Sequence, residues 1–312
     1  MKLVTYRQEG GEARAGLAVL GYIVDLEKGA KAIKEKLPAS LRAVLAQGPE
    51  ALAAARRVEA RSAALFESGH KPSRLHAWIF PEDEIQLAPP LPDPEKIICL
   101  GLNYRDHIRE QEGRLHATIE LPKDPIIFSK FATALAGPYD PIKLPPERVT
   151  RQVDYEVELA LVIGRTARAV SQQEAAGCVA GYMVLNDVSA RDCQFADKQW
   201  VRAKSFDGFA PCGPWLVTPD ELGDPHKLRL WTILNGTPMQ QSTTRHMIFK
   251  IPRIISYISQ AITLKPGDII STGTPAGVGF FREPPVVLKP GDTVECGIEG
   301  IGTICNTCER VK

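Results

Sequence analysis

The sequence predicts a mainly β protein of the α+β class, with a small N-terminal unit ahead of a larger unit of many short strands and few helices. Three observations support this. Strand-like runs rich in Val, Ile and aromatic residues recur through the second two thirds of the chain, broken by glycine and proline. The tetrapeptide Lys-Pro-Gly-Asp occurs twice, at 265–268 and 289–292, and Pro then Gly is type II turn chemistry that reverses a chain between strands. Helical patterns are too sparse to alternate with the strands as βαβ units, so a rolled or barrel-like sheet is expected.

Residues 1–30 read as three short strands, at 3–6, 15–19 and 22–26, parted by glycines. From 38 to about 67 the composition turns to Ala, Leu, Arg and Glu, which favours one or two helices broken at Gly48-Pro49. No catalytic residue types cluster there, so a helper or dimerisation role is expected. Residues 81–96 are rich in proline and acid and read as a linker with the boundary near Pro94. The expected division is a small N-terminal domain and linker at 1–94 and a catalytic-sized domain at 95–312. A buried strand at 96–101 opens the second domain. A charged stretch at 105–123 without apolar periodicity follows, then strands at 125–130 and 142–145. Ser171-Gln172-Gln173-Glu174 is a capping box, so a short helix follows Ser171. Residues 179–186 form a strand that ends at Asp187. Pro252 occupies a first-turn helical position, and Ile254, Ile255, Ile258, Ala261 and Ile262 repeat behind it at helical spacing.

The 312 residues carry 38 basic and 37 acidic side chains, a formal net charge of +1. That balance gives no reason to expect a nucleic acid or a membrane surface as partner. No apolar run approaches the length of a membrane span. The first residues lack the apolar core of a signal peptide, and Glu9 comes too early for a transit peptide. A cytoplasmic location is expected, with the mitochondrial matrix left open for a eukaryotic source. Seven scattered cysteines read as reduced thiols. Cys305-x-x-Cys308 lacks a second pair or a nearby His and is a weak zinc or redox signal.

The chemistry is organised around 153–164, Val-Asp-Tyr-Glu-Val-Glu-Leu-Ala-Leu-Val-Ile-Gly. As one strand it puts Asp154, Glu156 and Glu158 on one side and Tyr155, Val157 and Leu159 on the other. Alternating Glu usually marks a solvated face, but the apolar continuation argues for a central strand. Buried carboxylates in a row repel unless something positive lies between them, and a divalent cation with hard oxygen ligands meets that need. Asp187, at the end of a buried strand, either caps a turn or completes the ligand set begun by Glu156 and Glu158. Three carboxylates suit Mg²⁺ or Mn²⁺, with Ca²⁺ as a substitute; the lack of nearby His disfavours zinc. His107 and Glu110 are neighbours if their segment is helical, and a carboxylate beside His fixes its tautomer and raises its basicity. Such pairs are also ordinary surface contacts, yet this one sits in a polar segment of the kind from which lids are drawn. Lys204 either snorkels or, partly buried, stabilises a developing oxyanion. The glycine-rich stretch 271–279 lacks the ending of a phosphate loop, though its bare N–H groups suit a carboxylate.

These pieces occur in a recognisable order. Gly101-Leu102-Asn103-Tyr104 with His107, Asp154-Tyr155-Glu156-Val157-Glu158, Asn186-Asp187-Val188-Ser189-Ala190-Arg191-Asp192, Lys204-Ser205-Phe206-Asp207 and Thr272-Gly273-Thr274-Pro275-Ala276-Gly277-Val278-Gly279 resemble the fumarylacetoacetate hydrolase family over about 95–312. The resemblance implies a β-roll catalytic domain, usually dimeric, with Mg²⁺ or Mn²⁺ held by Glu156, Glu158 and Asp187. It implies that His107 and Glu110 activate water, and that Arg191, Gln194, Lys204 and Thr274 contact substrate, with Lys130 included. Family activities span hydrolysis of acylpyruvates, oxaloacetate decarboxylation, and isomerisation or dehydration of related 2-oxo acids.

The leading expectation is metal-dependent hydrolysis of a C–C bond in a 2,4-dioxo acid. His107, oriented by Glu110, would deprotonate water, and Lys204 would offset the charge left on the departing pyruvate. The alternatives are oxaloacetate decarboxylation or 2-oxo acid isomerisation or dehydration on the same metal. From another class comes a catalytically silent metal-binding dimer. The expected partners are a small 2-oxo or 2,4-dioxo acid and a second copy of the chain.

Overall fold

A computed structural model describes residues 1–67 and 77–311. Twelve of the described strands belong to one sheet. At its centre Val157–Ile163 is buried along its whole length. It pairs antiparallel with Val179–Asn186 on one side and Ile269–Ser271 on the other. Ile269–Ser271 leads through Ile97–Gly101 to the edge strand Ile126–Lys130. On the opposite side, Ala210–Val217 joins Val179–Asn186 to Lys2–Arg7.

Alternation along the central strand divides the interior in two. Val157, Leu159, Leu161 and Ile163 pack in a core that takes in the helix Ile251–Ala261 and a second, five-stranded sheet. Ala160 and Val162 enter a core shared with the helices Leu41–Ala46 and Pro49–Glu67. The strand is therefore apolar on both faces beyond Glu158, as a central strand must be.

Most expected elements form. Both Lys-Pro-Gly-Asp copies are closed turns: Gly267 and Gly291 take φ of +92° and +89°. Each Asp amide donates to the Lys carbonyl, at 3.0 and 3.1 Å. Each Asp carboxylate also accepts from the Lys amide at 2.7 Å. The helix behind Pro252 buries Ile254, Ile255 and Ile258, while Ala261, expected on the same stripe, is exposed at its end.

Three departures have physical causes. The stretch 81–96 is not an extended link: it holds a 3₁₀ turn at Glu82–Glu84 and a strand, Gln86–Ala88, registered against residues 5–7. The charged stretch after Arg105 forms the helix Arg105–Leu115. It lacks apolar periodicity because His107 and Ile108 are its buried positions. The expected continuous strand from 153 is interrupted after Val153–Asp154. The amides of Tyr155, Glu156 and Val157 donate to side chains of Asp154, Asn186 and Gln240 instead of a ladder partner.

A buried ion pair supports the N-terminal strands. Asp25 caps the helix Leu26–Ala32 by accepting from the Lys28 amide. It also accepts from Tyr6 Oη at 2.7 Å and Arg14 Nε at 2.6 Å. Burial opposes its ionisation, but Arg14, the Lys28 amide and Tyr6 outweigh burial and hold its carboxyl below the usual range. Asp25→Ala is expected to cost about 1–3 kcal/mol in urea unfolding, because it removes a helix cap and leaves the buried Tyr6 hydroxyl without its acceptor. Because the folded-state pKa is depressed, this contribution is present above the unfolded carboxyl pKa of about 3.9. It is lost as pH falls through the folded value.

Candidate active site and metal centre

The antiparallel pairing of the two central strands builds the site. The Asp187 amide donates to the Glu156 carbonyl at 2.8 Å, which carries the pairing one step past the end of the strand. Residues 31 positions apart in sequence are thereby brought face to face. Oxygens of Glu156, Glu158 and Asp187 lie within 4.8 Å of one another, and all three side chains are buried. Asp154, expected on the same side, is not one of the trio and is joined to Glu156 through Arg191. Its carboxylate accepts from Arg191 Nε and Nη2 at 2.9 and 2.7 Å and from the amides of Gly279 and Phe280.

Three buried cations share this charge. Lys204 Nζ donates to Glu156 Oε2 at 2.6 Å and Asp187 Oδ2 at 2.8 Å. Lys130 Nζ donates to Asp187 Oδ1 at 2.5 Å. Arg191 Nη2 bridges Asp154 and Glu156, the latter at 2.6 Å. Four buried carboxylates thus face three buried cations, an excess of one negative charge. Burial opposes ionisation of Glu156, but Arg191 and Lys204 prevail and hold it at about 2. Burial and the charges of Asp187 and Glu156 push Glu158 well up. Burial lowers Lys204, but Asp187 and Glu156 overcome it and keep its pKa raised.

The residues fit a divalent cation. Three oxygen donors converge in a buried space that holds one carboxylate more than its cations balance, so a cation can take the place of the proton that Glu158 otherwise favours, and hard cations prefer that donor set. The lysines supply part of the positive charge that the sequence alone assigned wholly to a metal.

Opposite the triad stands the helix Arg105–Leu115. His107 Nδ1 lies 2.9 Å from Glu110 Oε2. An ionised carboxylate only accepts, so Nδ1 carries the proton and Nε2 is left basic. Glu110 Oε1 accepts from the Gly277 amide at 2.7 Å, which ties the helix to the glycine-rich loop. Gly277 has φ +101°, and a Cβ there would lie 2.3 Å from the Met239 carbonyl, so the loop needs glycine at this point.

The sequence-predicted residues converge on one cavity of about 160 Å³, lined by Glu156, Glu158, His107, Arg191, Gln194, Lys204 and Thr274 among others. Thr274 Oγ1 donates to the Val157 carbonyl, and Gln194 Oε1 accepts from Arg191 Nη1 at 3.1 Å. Lys130 and Glu110 stand behind this lining, on Asp187 and His107 respectively.

The structure adds residues that sequence reasoning missed. Gln111 Nε2 lies 2.9 Å from His107 Nε2; its place one helical turn after His107 was the available signal. Gln240, buried, holds Val157, Thr274 and Pro275 together from a strand of the second sheet. Outside the cavity, Ser242 and His246 both meet Asp106 Oδ2. Ser242 Oγ approaches the same Nδ1 of His246 as the carboxylate does, so no nucleophilic triad forms and the group anchors the first turn of the helix Arg105–Leu115. Cys305 and Cys308 are free thiols on the strand Gly302–Arg310. Their spacing of three puts them on opposite faces, which removes the zinc reading. Among the described residues no helix is long and apolar enough to cross a membrane.

Comparison with known proteins agrees with this geometry. The family described as fumarylacetoacetate (FAA) hydrolase C-terminal matches residues 96–309. The protein named oxaloacetate tautomerase FAHD2A, mitochondrial, from Bos taurus is 45% identical over 288 residues, covering 92% of this chain and 83% of that protein. The solved fumarylacetoacetate hydrolase of Exiguobacterium antarcticum superposes with a TM-score of 0.80 at 34% identity, covering all of both chains. A maleylpyruvate hydrolase from Sphingobium sp. SYK-6, solved with manganese(II) and pyruvate, superposes with a TM-score of 0.72 at 29% identity, again over all of both chains. By its matched domain, its relatives and its fold, this chain belongs to the fumarylacetoacetate hydrolase family.

Proposed function

We propose that this protein is a Mg²⁺- or Mn²⁺-dependent enzyme of small 2-oxo acids whose reaction is the keto–enol tautomerisation of oxaloacetate. The observation that carries the reading is the placement of one basic ring nitrogen, His107 Nε2, in a cavity of only about 160 Å³ that is also lined by Glu156 and Glu158, two of the three clustered carboxylates. Tautomerisation needs a proton taken from one substrate atom and returned to another, and one oriented imidazole suffices for that. The relative named oxaloacetate tautomerase, at 45% identity, supports the same choice.

In this reading Glu156, Glu158 and Asp187 hold the cation, which when bound supplies Lewis acidity toward the carboxylate and 2-oxo oxygens of the acid. Glu110 fixes His107 with Nδ1 protonated, so Nε2 accepts the proton from the carbon beside the 2-oxo group. Gln111, which now donates to Nε2, gives way to substrate there. Lys204, held by Glu156 and Asp187, offsets charge developing on the substrate. Arg191 and Gln194 orient the far carboxylate, and Thr274 contacts the acid beside them. Lys130 steadies Asp187.

A second reading keeps the hydrolysis of 2,4-dioxo acids, because the His107–Glu110 dyad is equally fit to deprotonate water. The maleylpyruvate hydrolase solved with manganese and pyruvate lends it support. We further infer a homodimer, since the edge strand Ile126–Lys130 leaves Ile126 and Ile127 exposed and Phe131 follows at 61% exposure. The experiment follows the enol absorbance of oxaloacetate with Mg²⁺ or Mn²⁺, beside pyruvate release from oxaloacetate and acetylpyruvate. Faster tautomer exchange than in buffer, without pyruvate, is expected. Unchanged exchange with pyruvate from acetylpyruvate would favour hydrolysis, and pyruvate from oxaloacetate alone would favour decarboxylation.

A further inference from the structure

The cavity is polar on one side and aromatic on the other. Its aromatic side includes Trp200, which lies immediately before the helical turn Val201–Lys204. The Lys204 amide donates to the Trp200 carbonyl at 3.0 Å, so the residue whose ring walls the cavity also starts the turn that presents the ammonium. The Trp200 ring rests directly on the backbone of Gly101: a Cβ there would lie 2.4 Å from Cζ3 and 2.8 Å from Cη2. Gly101 does not take a positive φ, so its lack of a side chain here serves close approach of the ring. The ring also meets Phe128 edge-on, centroids 5.3 Å apart, and the Phe128 ring centroid in turn lies 5.4 Å from Lys204 Nζ. Trp200 is thus packed against both a glycine backbone and an aromatic neighbour, and a ligand cannot easily push it aside.

We propose that Trp200, seated on Gly101, is a specificity-determining wall of the site and keeps it to small 2-oxo acids. This rests on the reading of the cavity as a 2-oxo acid site and adds the size limit to it. About 160 Å³ is well below the roughly 300–1,000 Å³ of pockets that take larger ligands. With the acid held by the polar groups of the cavity, any added chain length has to be accommodated against a packed ring. A mismatch of one methylene in such a wall discriminates by about 10-fold or more.

The test measures binding by calorimetry to the Mn²⁺-loaded protein, using oxalate, 2-oxobutyrate and 2-oxohexanoate as probes. The wild type is expected to bind 2-oxobutyrate at least about 10-fold more tightly than 2-oxohexanoate. Trp200→Ala should bring the ratio to one or below, and Trp200→Phe, which keeps an aromatic packing unit, should fall between. Oxalate is too short to reach the wall and should bind all three proteins alike. Equal affinities in the wild type, or an unchanged ratio in both variants while oxalate still binds, would overturn the wall alone. Failure of the wild type to bind oxalate would overturn the metal-site reading and the wall with it.

Discussion

Glu158→Gln is expected to lower divalent-cation affinity by more than about 100-fold while leaving the metal-free fold intact. Even residues that only support metal ligands change affinity about 10–100-fold when removed, so loss of a direct ligand should exceed that. The fold should tolerate the change because burial and the charges of Asp187 and Glu156 already favour a neutral Glu158. Glu158 Oε2 accepts from Ser271 Oγ at 2.5 Å and from the Gly273 amide at 2.9 Å, and a Gln oxygen can take both. Thermal unfolding gives the readout. At an ion concentration of about 100 times Kd the wild type should gain about 2.7 kcal/mol, and Glu158→Gln none. The pH dependence follows from the same group. Its folded-state pKa is raised, so the stability that goes with the protonated form is complete below the unfolded carboxyl value and is lost as pH rises through the folded one. Cation binding, which needs the carboxylate, should therefore strengthen as pH rises, and Glu158→Gln should flatten that dependence.

His107→Ala is the second large effect. It should leave cation affinity within a few-fold of the wild type and lower the rate of tautomer exchange by about 10²–10⁴-fold, the usual worth of a positioned acid–base group. The separation follows from geometry: His107 belongs to the helix Arg105–Leu115, and its ring is bonded to Glu110 and Gln111 rather than to the triad. Acetylpyruvate hydrolysis, if present, should fall with it, whereas metal-assisted decarboxylation of oxaloacetate should survive. Glu110→Gln should lose less, because an amide can still meet His107 but no longer favours one tautomer by charge. An unchanged exchange rate in His107→Ala, with cation bound, would remove the imidazole from the mechanism.

The site was more legible in the sequence than the arrangement of the chain around it. Glu156 and Glu158 could be assigned to one face because a strand has a period of two, and both do face the triad. The same rule placed Asp154 with them, yet Asp154 lies before a break that local pattern does not record and reaches Glu156 through Arg191. That break is made by Asn186 and Gln240, whose side chains take the amides of Glu156 and Val157 from remote positions. The capping box at Ser171 and the two Lys-Pro-Gly-Asp turns were readable because their chemistry is local. The strand at Gln86–Ala88 was not, because its prolines and acids read as a linker and its partner strand starts the chain. Lys204 and Lys130 carried no pattern revealing that they would neutralise the carboxylates; only the fold brings them to Asp187. Trp200 was silent for a similar reason, since its ring packs on a glycine 99 positions earlier in the chain.

The most direct measurement is anomalous diffraction from crystals of this protein grown with Mn²⁺ and oxalate. One manganese peak per chain is expected, in contact with carboxylate oxygens of Glu156, Glu158 and Asp187, and with oxalate completing its coordination on the His107 side. A structure with no peak at that position, and with Lys204 and Lys130 still paired to the carboxylates, would contradict the claim that this trio is a metal centre.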